Sequence, residues 1–395
     1  MEKARVIISK KGEKWQKERH PWVYESDVLY VEGDHENGDI VDVYTEKGKY
    51  VGTGFLSLLS KIRVRIFHRD RSTVYDKDFW KRRISYAWNY RKTALSGDID
   101  SCRMVYGESD QLPGLTVDKY NDVLVTQIVC IGMERMKEIL FPLLIEVLEE
   151  DGISVRGIYE RNDVSIRKLE GLTEYKGWYF GGGETETLIR ENGIAFKVDI
   201  ENGQKTGYFL DQRRNRKLVM DIAKGKRVLD CFTHTGSFAC HAAKFGAKSV
   251  TAVDISETAI AKAKENAELN GLSIDFEVAD VFDYLETAKK KDYDLIILDP
   301  PAFTKNRKTV NNAYRGYLEI NVKAMKLLGR GGYLATCSCS HFMPHEKFEE
   351  MLREAAMVTG YDLKILSVTQ QNADHPVMLH IPETDYLKFF ILQVV

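Results

Sequence analysis

The second half of the chain predicts an α/β fold, a doubly wound parallel sheet with helices on both faces. Three observations carry this. From residue 189 onward, strands and helices alternate along the sequence. The strands, such as Ser249-Val-Thr-Ala-Val and Leu295-Ile-Ile-Leu, are nearly continuous apolar runs, as expected of parallel strands covered on both faces. Right-handed βαβ crossovers then wind the sheet, and ligands of such folds bind beyond the carboxyl ends of the strands, where Asp230, Asp254, Asp280 and Asp299 fall.

The composition agrees with a folded multidomain protein. The 395 residues are 44% hydrophobic, 29% charged and 11% aromatic, enough for about two or three packed cores. This excludes a mainly disordered chain, and the 29 glycines have no collagen period. Lys plus Arg number 57 against 59 acids, a net charge of −2, which excludes a globally basic nucleic-acid coat but not a local basic patch. No apolar h-region follows the charged start and no run approaches the ~18 apolar residues of a membrane span, so a cytoplasmic protein without membrane contact is expected. Cys102, Cys130, Cys231, Cys240, Cys337 and Cys339 lack zinc spacing, so free thiols and no metal are expected.

Residues 1–70 read as a small β-barrel. Asp39-Ile-Val-Asp-Val-Tyr-Thr, Tyr50-Val-Gly-Thr-Gly-Phe and Ile62-Arg-Val-Arg-Ile-Phe are strands, with residues 46–49 as a hairpin loop. Lys10, Lys11, Lys14, Lys17, Arg19 and His20, then Arg63, Arg65, His68, Arg69 and Arg71, make it lopsidedly basic. They are either a solvated face or a phosphate-contacting one. Residues 71–188 read as an α+β middle domain: a helix over 78–93, strands at Cys102, Leu115 and Val123, a helix over 133–150, and a strand from Gly157. Gly181-Gly-Gly183 lacks strand and helix flanks and is read as a plain loop.

In residues 189–395 the first strand ends at Asp230, a loop passes Gly236, and a helix begins. The G-x-G-x-x-G of dinucleotide sites is missing, which disfavours a dehydrogenase. Asp254 closes the second strand, where a carboxylate can accept both ribose hydroxyls of an adenosine. Ser256 is placed as the following N-cap and Asn270-Gly271 as the helix stop. Asp280, at the third strand end, is placed to take a hydrogen from an adenine amino group. One acid at a strand end is commonly a cap; three in succession after a short Gly loop fit an adenosine with no pyrophosphate, the shape of S-adenosylmethionine.

Here the chain resembles class I S-adenosylmethionine-dependent methyltransferases. The run from Gly203 to Arg216, Gly-Gln-Lys-Thr-Gly-Tyr-Phe-Leu-Asp-Gln-Arg-Arg-Asn-Arg, is similar to the signature preceding the first motif of large-subunit (23S) rRNA methyltransferases. Asp299-Pro-Pro-Ala-Phe and Thr336-Cys-Ser-Cys-Ser resemble that group's fourth and sixth motifs, and His20-Pro-Trp-Val-Tyr its PUA opening. The resemblance implies an RNA-binding PUA-like barrel, an α+β middle domain and a Rossmann-like methyltransferase domain. It also implies that Asp230 and Gly236 line the methionine part of the cofactor, Asp254 the ribose and Asp280 the adenine, with Thr206, Phe209 and Asp211 closing the pocket.

Asp299-Pro-Pro ends the fourth strand. Two prolines cannot extend a ladder, so the chain is expected to turn out at the sheet edge, presenting Asp299 beside the methyl donor. Carbon 5 of a pyrimidine is a poor nucleophile until a thiolate adds to carbon 6, and the thiol, with an ordinary pKa of ~8.5, must lose its proton as it attacks. Thr336-Cys-Ser resembles the catalytic motif of cytosine-5 RNA methyltransferases, which favours Cys337; Cys339 is the alternative nucleophile, on the same strand face if the extended geometry persists. Two buried thiols in a tight turn are the bland reading. The fourth motif has no Cys, unlike paired-cysteine enzymes of this type, and this leaves product release unassigned. Asp299 would polarise the cytosine ring. Arg213, Arg214, Arg216 and Lys217, with Lys305, Arg307, Lys308 and Arg315, are either helix-surface charge or phosphate contacts at the site mouth. Base N-methylation and an RNA-binding module with an inert methyltransferase domain are the competing functions. A homodimer is left open.

Overall fold

β-branched and aromatic residues alternating with polar ones build the N-terminal strands. The computed structural model describes residues 3–304 and 309–395, so Lys305, Arg307 and Lys308 lie outside the described residues. Strands β1 (Arg5–Ile8), β2 (Trp22–Tyr24), β3 (Val28–Glu32), β4 (Ile40–Thr45), β5 (Tyr50–Leu56) and β6 (Ile62–His68) form one six-stranded sheet in the order β2-β6-β5-β4-β1-β3. Helix α1 (Lys10–Lys17) follows β1, and Ser9 caps it by accepting from the Gly12 amide.

Helix α2 (Lys77–Ala94), capped by Asp76, leads to a five-stranded sheet of β7 (Ser101–Tyr106), β8 (Leu115–Tyr120), β9 (Val123–Ile128), β10 (Gly157–Arg161) and β11 (Lys176–Gly181), interrupted by α3 (Ile131–Glu149). One apolar core runs from Phe55 and Phe67 of the first sheet through Trp80 and Trp88 of α2 to Phe141 and Leu144 of α3. Gly132 permits that packing: a Cβ there would lie 2.3 Å from the Phe55 ring. The two sheets therefore belong to one compact unit, residues 1–189, joined by 198–210 and 373–384. The last segment is held by Asp374, which accepts from the Arg103 amide at 2.9 Å and whose carbonyl takes the Arg91 guanidinium at 2.9 Å.

The second unit comprises residues 190–197, 211–372 and 385–395. The chain passes between units in the hairpin of β12 (Glu186–Glu191) and β13 (Ile194–Asp199). Then follow α4 (Arg213–Ala223), β14 (Arg227–Cys231), α5 (Ser237–Lys244), β15 (Ser249–Asp254), α6 (Glu257–Leu269), β16 (Asp275–Val278), α7 (Val281–Thr287), β17 (Leu295–Leu298), α8 (Val310–Leu328), β18 (Tyr333–Ser338), α9 (His345–Thr359), β19 (Leu363–Thr369) and β20 (Lys388–Val394). The seven strands order as β16-β15-β14-β17-β18-β20-β19. One face packs on α8 and α9 through Tyr317, Ile320 and Phe348, the other on α4 and α5 through Val219 and Phe238, as a doubly wound sheet requires.

Two details differ from the sequence reading. The sheet is not wholly parallel, because β20 runs antiparallel to both β18 and β19. And β17 is an interior strand between β14 and β18, so Pro300 and Pro301 do not mark a sheet edge. They follow the last paired residue, Leu298, where no ladder donor is required.

Candidate active site

The site lies at the carboxyl ends of β14, β15, β17 and β18, all in the second unit. Asp230, next to last in β14, is buried. Its Oδ2 accepts from Thr233 Oγ1 at 2.6 Å and from the Ala239 amide at 3.0 Å, which fixes the loop between β14 and α5. Its Oδ1 has no hydrogen-bond partner among the described residues. Burial, with the charges of Asp299 and Asp254, pushes its pKa up to about 7. The loop is wound tightly: Phe232, His234 and Gly236 all have positive φ, +60°, +51° and +78°. Gly236 N-caps α5, and a Cβ there would stand 3.0 Å from Ala263 Cβ.

Asp254 ends β15. Its Oδ2 accepts from the His234 amide and its Oδ1 from the Ser256 amide, each at 2.9 Å. These bonds tie two loops together and leave a lone pair on each oxygen for a further donor. Asp280 is exposed and N-caps α7 through Oδ1, which accepts from the Phe282 amide at 2.7 Å. The pairing of Asp254 with Val278 sets the two acids at neighbouring strand ends.

Asp299 and Cys337 meet across the adjacent strands β17 and β18: Cys337 Sγ donates to Asp299 Oδ1 at 2.8 Å. Gln212 Nε2 donates to the same oxygen at 3.1 Å and lies 3.5 Å from the sulfur. Its amide is oriented by Asn215, whose Nδ2 donates to Gln212 Oε1 at 2.6 Å and whose Oδ1 accepts from Thr369 Oγ1 at 2.7 Å. Burial raises the Asp299 pKa, the bond from Cys337 opposing it. Burial and the neighbouring Asp299 charge push the Cys337 thiol well above its usual value, so the resting group is a neutral thiol.

Sequence reasoning did not assign a role to Gln212, Asn215 or Lys388. Gln212 stands inside the run quoted above, the only signal available. Lys388 pairs with Ser338 across β18 and β20, and its Nζ donates to the carbonyls of Ser340 at 2.6 Å and Tyr386 at 2.8 Å. It thereby holds the turn after Cys337, and burial lowers its pKa to about 8. β18 ends at Ser338, so Cys339 lies beyond the strand, half-buried.

The other residues expected at the site are Asp211, Thr206 and Phe209, and the charge of Asp211 helps to raise the Asp299 pKa. Asp211 takes the Tyr386 hydroxyl on Oδ2 at 2.6 Å, within the second unit. Thr206 and Phe209 belong to the first, Thr206 buried beside Asp118 and Tyr120 and Phe209 under the Lys205 ammonium. Arg213 and Arg216 are not phosphate contacts. Both are buried against Glu191, with Arg216 Nη2 2.7 Å from its Oε2. Among the described residues no cluster of His, Cys, Asp or Glu suits a metal ion.

Comparison with known proteins matches this geometry to a chemistry. A family model described as S-adenosylmethionine-dependent methyltransferase matches residues 174–365, and one for a PUA-like domain matches residues 6–69. The ribosomal RNA large subunit methyltransferase I of Aeromonas salmonicida is 41% identical to this chain, covering 98% of each. That of Shewanella amazonensis is 40% identical, covering 99% of each. Among solved structures, one described as a SAM-dependent methyltransferase from Streptococcus mutans superposes with a TM-score of 0.82 at 23% identity, over 99% of this chain and 100% of its own. A methyltransferase solved in complex with SAH gives 0.84 at the same identity and coverage. At that identity the likeness is one of fold.

Proposed function

Because the chain belongs to the family of ribosomal RNA large subunit methyltransferase I, we propose that it methylates carbon 5 of a cytosine in 23S rRNA through a transient bond between Cys337 and the base. The observation that carries this reading is the 2.8 Å contact of Cys337 with Asp299 at the ends of two adjacent strands.

The cofactor of the family is S-adenosylmethionine, and the residues present fit it. Asp230 Oδ1 is a buried acceptor without a donor among the described residues, suited to the ammonium of the methionine part. We assign Asp230 and the Gly236 turn to that part, Asp254 to the ribose hydroxyls and Asp280 to the adenine amino group. Bound cofactor supplies an electrophilic methyl group.

The chain's own residues supply the rest. Cys337 attacks carbon 6, and its proton passes to Asp299, the acceptor already in contact with it. The carbon 5–carbon 6 electron pair shifts toward ring nitrogen 3, which takes that proton from Asp299. Carbon 5, now electron-rich, takes the methyl group. Loss of the carbon-5 proton to a base restores the double bond and expels the sulfur. Asp299 then returns the proton from nitrogen 3 to the sulfur. Gln212 fixes the Asp299 oxygen that does this. A second reading makes Cys339 the nucleophile, favoured by its greater exposure.

The test uses rRNA from a strain lacking the protein, labelled methyl donor and nucleoside mass analysis. The expected product is 5-methylcytidine, lost with Cys337→Ala and kept with Cys339→Ala; the reverse pattern selects Cys339. A methyl group on a ring or exocyclic nitrogen, unaffected by either variant, would sink the reading. No helix among the described residues is long and apolar enough to cross a membrane, and we place the enzyme in the cytoplasm with its RNA.

A further inference from the structure

A cavity of about 650 Å³ in the first unit shares no residue with the site above. It opens between the end of β6, helix α2 and residues 378–381, and Arg19, Arg69, Arg82 and Arg83 are among its walls. Arg83 is buried and Arg69 half-buried, and their acceptors among the described residues are all uncharged. Arg69 donates to the carbonyls of Val51 at 3.2 Å and His20 at 3.1 Å, and to Gln16 Oε1 at 3.0 Å. Arg83, buried, donates to the Phe67 carbonyl at 3.0 Å and to His68 Nδ1 at 2.8 Å.

Elsewhere this unit neutralises its buried arginines. Arg65 meets Glu108 and Glu170, and Arg91 meets Asp110. A guanidinium drawn out of water without a counter-charge is costly, and the cavity leaves one buried and one half-buried. Burial lowers the pKa of both to about 10, the Arg19 charge contributing at Arg69. Two carboxylates reach the cavity. Glu108 is engaged by Arg65 and by Trp22 Nε1, each at 2.9 Å, while Asp70 is exposed and turned onto Ser72. A positive excess remains. One more wall residue, Tyr86, is 68% exposed and stands one helical turn from Arg82 on α2, so a cation and an open aromatic face lie side by side.

We propose that this cavity binds one nucleotide of single-stranded RNA, its phosphate on Arg69 and Arg83, its base against Tyr86, and the neighbouring phosphates at Arg19 and Arg82. The Arg forks suit phosphate oxygens, the ring suits any base, and the volume exceeds what a lone phosphate fills. The assignment of RNA rests on the rRNA substrate proposed above. The cavity would give the enzyme a grip on its substrate remote in sequence from the chemistry.

Anisotropy of a labelled single-stranded oligoribonucleotide, titrated with the full-length protein at several salt concentrations, tests this. Arg82→Glu and Tyr86→Ala alter exposed side chains and leave the core intact. Each is expected to weaken RNA binding about tenfold, and Arg82→Glu to lower the slope of log affinity against log salt by ~0.7. S-adenosylmethionine affinity, measured by calorimetry, should stay within about twofold, showing an intact fold. Oligonucleotide binding unchanged in both variants overturns the cavity's role and leaves the rRNA reading standing. So does a wild-type protein that methylates rRNA yet does not bind the oligonucleotide. A wild-type protein that methylates no rRNA overturns the reading on which the RNA assignment rests.

Discussion

In the role proposed for it, Asp230 couples the fold to the cofactor. Its burial and the nearby acids hold its pKa at about 7 against an ordinary 3.8, so without a cation the carboxyl is largely protonated below neutrality. An ammonium ligand needs the ionised form. S-adenosylmethionine affinity is therefore expected to rise by about tenfold per pH unit up to pH 7 and to level off above it, with one proton released on binding at pH 6. Calorimetry in buffers of different ionisation enthalpy reads both; affinity flat from pH 5.5 to 8 would contradict the assignment of Asp230. The acid itself was legible in the sequence, because a Val-Leu-Asp strand end before a Gly loop is distinctive. Gln212 was not: an amide has no chemistry of its own, and its meaning comes from Asn215 turning its N–H toward Asp299 and Cys337.

At the scale of elements, β12, α4 and α5 are joined by a buried charge cluster. Burial alone would raise the Glu191 pKa, but Arg216, His241 and Arg213 outweigh it and hold the carboxyl at about 2. Burial holds His241 at about 4 against an ordinary 6.5. Both groups take up protons more readily in the unfolded chain. The stability they contribute is present above pH 6.5 and is lost through His241 as pH falls from 6.5 to 4, then through Glu191 as it falls from 4.5 toward 2. Each pH unit removes up to ~1.4 kcal/mol per titrating group. Urea unfolding should show this slope between pH 6.5 and 4.5, and His241→Asn should flatten it; an unchanged slope in the variant would refute the account. The sequence left Arg213 and Arg216 as either helix-surface charge or phosphate contacts, and buried against Glu191 they are neither, for a physical reason. A basic run reads the same on a solvated face and on one buried against an acid from a distant strand. The interior strands of the sheet were legible from their apolar runs, whereas β19 and the antiparallel return of β20 carry no helix between parallel strands to announce them.

For the whole molecule, the two compact units have separate apolar cores, one built around Trp80 and Phe141 and one around the seven-stranded sheet. The residues assigned to the cofactor lie in the second alone. Calorimetric unfolding is expected to depart from a single two-state transition, with S-adenosylmethionine at a hundred times its Kd stabilising the later-numbered unit by about 2.7 kcal/mol and leaving the other in place. One two-state peak that moves as a whole would contradict this. The segments 198–210 and 373–384, which rejoin the first unit, were not legible, since returns fixed by contacts such as Arg103 with Asp374 leave no periodic pattern.

The central claim, sulfur addition from Cys337 to the target base, is tested most directly with rRNA carrying 5-fluorocytidine. Fluorine in place of the carbon-5 hydrogen leaves no proton to remove, so the adduct cannot collapse after methyl transfer. The account predicts an RNA–protein complex that survives denaturing gels, requires S-adenosylmethionine, maps to the peptide containing Cys337 and is absent in Cys337→Ala. No trapped complex, or one that maps to Cys339 and persists in Cys337→Ala, would contradict it.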